Sequence, residues 1–141
     1  MEDFCSLGFL TYRASVALSK SLNASISANG INLPHSQFVV LRCLYFNDGL
    51  SQLEVAHLLS KDAAAIKRTV DHLEKKNLVT RKFIRTLKNS VCITEQGRAL
   101  MPRMLEIAQG VINKALNGID EEGRTLLFGM LNKIYENLEN E

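Results

Sequence analysis

Between residues 60 and 90 lie nine basic side chains, Lys61, Lys67, Arg68, Lys75, Lys76, Arg81, Lys82, Arg85 and Lys88, against three acidic ones, Asp62, Asp71 and Glu74. That segment carries a net charge of +6 and the rest of the chain −4, so the whole-chain value of +2 conceals a polarised molecule. Clustered cations do one kind of chemistry unaided: they neutralise a polyanion, and the local field rather than the total charge decides where it docks. Catalysis needs other groups, a nucleophile beside a base, paired carboxylates in a pocket, or a phosphate loop. The sequence holds no G-x-x-x-x-G-K and no G-x-S-x-G, and His35, His57 and His72 stand alone without the spacing of a zinc site. Neither an enzyme nor a cofactor or metal is expected.

The elements that position these cations follow from apolar spacing. Phe4, Leu7, Leu10, Ala14, Ala17, Leu18 and Leu22 recur at intervals of three and four, predicting a long helix over residues 3 to about 27 that ends at Asn29-Gly30. Pro34 opens a second helix, HSQFVVLRCLYFN, apolar almost all round and so buried. Asp48-Gly49 breaks the chain. Ser51 and Glu54 then form a capping box, starting a short helix through Leu59 with Leu53, Ala56 and Leu59 inward. In SKDAAAIKRTVDHLEKKNLV, Ile66, Val70 and Leu73 fall in one narrow sector, while Ala64, Lys67, Arg68, Asp71 and Lys75 collect opposite. Asn77 fits the left-handed residue after the helix, and Lys75 and Lys76 suit its negative end.

LVTRKFIR and SVCIT, rich in β-branched residues and separated by residues 86 to 89, predict a two-stranded hairpin with a basic tip. Thr94 caps a further long helix that ends at Gly118 and is bent by Pro102. A last helix from about Asp120 places Leu127, Met130, Leu131, Ile134 and Leu138 on one side. The fold class is mainly α with a small β-hairpin. Three helices, the third exposed and basic, followed by a two-stranded ribbon, make a winged helix-turn-helix, whose second motif helix enters the DNA major groove.

The bulk numbers agree with one compact unit. The 141 residues are 46% apolar and 23% charged, an ordinary globular balance. No apolar run is long enough to span a membrane, and the opening MEDFCSLGFL carries acids where a secretory signal needs bases, so a cytoplasmic protein is expected. Three widely spaced cysteines do not form a disulfide framework. Cys43 and Cys92 sit in apolar runs and are expected to act as small hydrophobes, and Cys5, the thiol expected to be exposed, is flanked by Glu2 and Asp3, which oppose the lowered pKa a redox sensor needs.

Four stretches, SQFVVLRCL (36–44), GLSQLEVAHLLSKD (49–62), IKRTVDHLEKKNLVTR (66–81) and ITEQGRAL (93–100), resemble the MarR (multiple antibiotic resistance) regulators in order and nearly in spacing, over about 65 residues. The resemblance implies a homodimer held by its first and last helices, each protomer presenting a winged domain to double-stranded DNA. It implies one MarR-type domain over 1–141, with dimerisation helices at 1–30 and 118–141, the winged helix-turn-helix at 34–95 and a connecting helix at 95–117. It also implies release of DNA by a small aromatic or phenolic effector. Arg68 occupies the usual recognition-helix arginine and Lys67 a position where threonine is frequent. The DNA-contacting set is expected to be Ser51, Lys61, Ala64, Lys67, Arg68, His72, Arg85, Lys88 and Asn89.

The sequence also departs from the family. Ala64 and Ala65 replace small hydroxyl residues, losing hydrogen bonds and leaving methyl groups for a thymine methyl. The hairpin lacks the Asp-x-Arg feature and is about two residues shorter, reading RTLKNS, so Arg85 or Lys88 takes the tip arginine's place. Asp71 would repel phosphates unless paired, and Arg81 or Arg85 is its expected partner. The competing function is a winged-helix protein-interaction module, which would show apolar or mixed residues over 63–75 where this chain is basic. A ligand-responsive repressor acting on an inverted-repeat operator is the default expectation, with activation as the variant.

Overall fold

The computed structural model describes the backbone of residues 4–85 and 88–139, and the side chains of residues 6–82 and 89–139. Its elements are α1 (Phe4–Ala28), α2 (His35–Phe46), β1 (Leu50–Ser51), α3 (Gln52–Leu58), α4 (Ala63–Lys75), β2 (Val79–Arg85), β3 (Lys88–Ile93), α5 (Glu95–Ala115) and α6 (Glu121–Glu139). The chain is mainly α with a small sheet, and the arrangement is a winged helix-turn-helix flanked by long helices.

Local sequence fixes the joints. Gly30, Gly49 and Gly118 turn the chain at φ of +72°, +84° and +83°, where a side chain would be strained. Ser51 Oγ accepts from the Glu54 amide at 3.2 Å, and Glu54 Oε1 accepts from the Ser51 amide at 3.1 Å, the capping box of α3. Asp62 Oδ1 caps α4 through the Ala65 amide at 2.7 Å, and Thr94 Oγ1 caps α5 through that of Gly97 at 3.0 Å. Asn77 stands at φ +61° and terminates α4, as its side chain permits. Pro102 lies within α5, which continues past it to Ala115.

The core gathers Leu22 and Ile26 of α1, Phe38, Leu41 and Leu44 of α2, Val55 of α3, the α4 stripe, Val91 of β3, and Met101 and Met104 of α5. The long first helix, the buried second helix and the α4 stripe are as expected. Two expectations change. In α3 the inward residues are Val55 and Ala56, whereas Leu53 is 71% exposed. A helix of seven residues satisfies either phase of its apolar positions, and packing against α4 selects the one that buries Val55. The sheet also has a third member: β1 pairs antiparallel with β3, Leu50 opposite Val91 and Ser51 opposite Ser90, giving the order β1-β3-β2. Pairing of β2 with β3 runs from Val79↔Ile93 out to Arg85↔Lys88, so Lys88 and Asn89 belong to a strand rather than to the loop.

Gly97, in the first turn of α5, is buried against the start of the hairpin. A Cβ there would overlap the Leu78 carbonyl oxygen and come within 2.8 Å of Ile93 Cγ1.

Candidate nucleic-acid interface

Helix α4 is built to be held on one side and to offer the other. Ile66, Val70 and Leu73 are exposed by 1% or less, fixing the helix to the core. Ala63, Ala64, Lys67, Arg68, His72 and Lys75 are exposed on the remaining surface. The N-terminal turns of a motif's second helix are the part that approaches base edges, and here they carry two methyl groups followed by two cations.

Asp71 sits among these cations, shared between Lys67 and Arg81, and the surface stays basic because Lys61, Lys67, Arg68 and Lys75 outnumber it. Lys67 Nζ lies 3.1 Å from Asp71 Oδ2, and Arg81 Nη2 lies 2.7 Å from Asp71 Oδ1. The hydrogen bond from Lys67, and next that from Arg81, hold the Asp71 carboxyl below its usual range. Of the two partners expected for Asp71, Arg81 is paired with it, and the side chain of Arg85 lies outside the described residues. The Arg81 guanidinium also donates to Glu74 Oε1 at 2.7 Å and to Gln52 Oε1 from both Nε and Nη2, at 3.1 and 2.8 Å. One arginine on β2 therefore ties together the hairpin, α4 and the first residue of α3. Its planar fork of donors suits three acceptors in fixed directions, which a lysine would not.

Arg68 is exposed and makes no hydrogen bond or ion pair among the described residues. Lys61, in the turn before α4, is exposed as well. Lys76 behaves differently. Its ammonium turns inward, donating to the Asn32 carbonyl at 2.8 Å and to Gln37 Oε1 at 2.6 Å, and burial lowers its pKa. It braces α4 against α2 and is withdrawn from the exposed cations.

The structure thus places Lys61, Ala64, Lys67, Arg68 and His72 on the exposed side of the turn and α4. Ser51 is half-buried, its hydroxyl occupied by the α3 cap. Asn89 is exposed on β3. Arg85 and Lys88 face each other at the outer end of the strand pair, and their side chains, like that of Cys5, lie outside the described residues. Sequence reasoning missed Gln52, which carries no signal beyond standing at the start of α3. His35 joins α1 to α2 instead: Ser19 Oγ lies 3.3 Å from its Nδ1, and its amide donates to Asn23 Oδ1 at 2.7 Å. Burial, and secondarily the charge of Lys61, lower the His35 pKa. Among the described residues no group of His, Cys, Asp and Glu is arranged to hold a metal, and no helix is long and apolar enough to cross a membrane.

Comparison with known proteins agrees with this arrangement. Residues 33–83 match the model of the MarR family. The HTH-type transcriptional repressor Rv2887 of Mycobacterium tuberculosis is 32% identical over 117 residues, 82% of this chain and 80% of that one. Among solved structures, a protein assigned to the MarR family from Listeria monocytogenes, crystallised with a 26mer DNA, superposes with a TM-score of 0.84 at 25% identity, over 99% of this chain and 91% of that one. Bordetella bronchiseptica BpsR, whose DNA binding is regulated by 6-hydroxynicotinic acid, shares the fold with a TM-score of 0.83 at 23% identity, over 96% of this chain and 98% of that one. With a repressor of this kind matched across four-fifths of both chains, the protein belongs to the MarR family of transcriptional regulators and is not an enzyme.

Proposed function

We propose that the protein is a homodimeric, sequence-specific repressor that binds an inverted-repeat operator through α4 and the hairpin. The observation that carries this reading is the division of α4: a stripe wholly inside the core and an opposite side offering Ala64, Lys67 and Arg68, braced by Arg81. The Listeria neighbour, crystallised with DNA, supports it. Arg68 supplies the principal base contact, Lys61 and Lys67 approach phosphates, His72 and Asn89 flank them, and Ser51 contributes through the α3 cap. Arg85 and Lys88 stand in for the tip arginine in the minor groove.

Residues 1–30 and 118–141 form the dimer in this reading. Leu7, Leu10, Leu126, Phe128, Met130 and Leu131 are between 45% and 59% exposed, large apolar side chains of the kind a partner chain covers. Two-fold symmetry sets two copies of α4 about 34 Å apart, one helical turn of DNA, so the operator mirrors the dimer. A small aromatic or phenolic effector completes the proposal, on the precedent of the Bordetella neighbour.

Fluorescence anisotropy with the protein's own upstream intergenic DNA and a scrambled duplex, across a salt series, tests the reading. The expected result is a steep salt slope with at least about a thousandfold preference for the upstream duplex. Replacing Lys67 and Arg68 with alanine should lower the slope by about 0.9 for each phosphate left without its cation. An unchanged affinity and slope in that double variant would exclude α4 as the DNA-binding element.

A further inference from the structure

Ser60 closes α3 in the left-handed region, at φ +51°, a conformation that glycine or asparagine adopts with less strain. Its amide donates to the His57 carbonyl at 3.2 Å, and the next amide, that of Lys61, to the Ala56 carbonyl at 3.0 Å. Only Lys61 separates it from Asp62, the cap of α4. The turn at Ser60 therefore sets the angle at which α4 leaves α3. A serine that tolerates the strain brings one thing a glycine lacks, a hydroxyl. Ser60 Oγ lies 3.2 Å from the phenolic oxygen of Tyr135, 75 residues later on α6. Among the described residues no other hydrogen bond or ion pair joins α6 to residues 34–95.

From this contact we infer that Tyr135 is a positioning residue for DNA binding: its hydroxyl fixes the turn that aims α4, so the C-terminal helix holds the DNA-binding helix in place. The inference rests on the DNA-binding reading above. It requires nothing of Tyr135 on the DNA itself. It adds a mechanical tie between the helix assigned to the dimer and the turn that presents Lys61, Ala64 and Arg68.

The test uses a duplex enriched by the wild-type protein from a randomised library, titrated with wild type, Ser60→Gly, Tyr135→Phe and the double variant. Ser60→Gly relieves the backbone and removes the hydroxyl, while Tyr135→Phe removes one oxygen. Each single variant should bind about three- to tenfold more weakly, and the double variant no more weakly than either, because the same hydrogen bond is missing from all three. Amide exchange over residues 61 to 65 should quicken in each, with oligomeric state unchanged and the melting temperature of Ser60→Gly no lower than wild type. Wild-type affinity in both single variants overturns the inference, as do additive losses or an affinity that falls only with loss of the dimer. A wild-type protein that enriches no duplex overturns the DNA-binding reading itself, and the inference with it.

Discussion

Helices α4 and α6 are both amphipathic, but only one finds its partner within the chain. Ile66, Val70 and Leu73 of α4 are exposed by 1% or less, whereas α6 buries no residue and leaves Met130, Leu131 and Leu138 between 45% and 63% exposed. Periodicity records that a helical face will be covered; it does not record by which chain. α4 therefore contributes its apolar side to folding and keeps its basic side exposed. α6 leaves its apolar side uncovered within the chain.

The contrast can be broken by substitution. Leu73→Ala, at a fully buried position, should destabilise the protein by about 2–5 kcal/mol in denaturant titration, equally at every protein concentration. Leu131→Glu should leave the fold of the isolated chain intact, yield monomers by light scattering, and weaken operator binding by roughly a hundredfold through the missing second half-site. Were it to destabilise a dilute monomer as much as Leu73→Ala, the distinction between the two helices would collapse. Arg68→Ala sharpens the division within α4: discrimination at one base pair should fall by about 1–3 kcal/mol, with an unchanged melting temperature.

The smallest effect belongs to the seam between the regions, where His35 joins α2 to α1. Because its folded pKa lies below the ordinary 6.5, the folded chain binds the proton less readily than the unfolded one. Its contribution to stability is complete above that ordinary value and declines as pH falls below it towards the lowered one. Between about pH 7 and 5 the melting temperature of wild type should fall more than that of His35→Gln.

What was legible in the sequence was local or forced by chemistry. The Ser51–Glu54 cap, the α4 stripe and the left-handed Asn77 each depend on residues within a few positions of one another. The pairing of Asp71 with a hairpin arginine was legible because a carboxylate among the cations of a basic helix needs a partner, although placing Arg81 beside it required the fold of the hairpin against α4. Other features have no local signature. Gln52 meets Arg81 across 29 residues, Lys76 meets Gln37 across 39, and Ser60 meets Tyr135 across 75. Leu53 faces outward because its helix is too short for periodicity to fix its phase. The β1 strand is two residues whose extended form is imposed by β3.

The contact at Gly97 gives the molecule a rigid joint. With no room for even a methyl group between α5 and the base of the hairpin, the two surfaces mesh, and neither can slide without carrying the other. Helix α5 spans 21 residues, about 30 Å, so it is a lever arm with the hairpin at one end and the chain's C-terminal helix at the other. A tilt of about 5° about the far end sweeps the hairpin base through roughly 2.5 Å, the difference between a hydrogen bond and a gap.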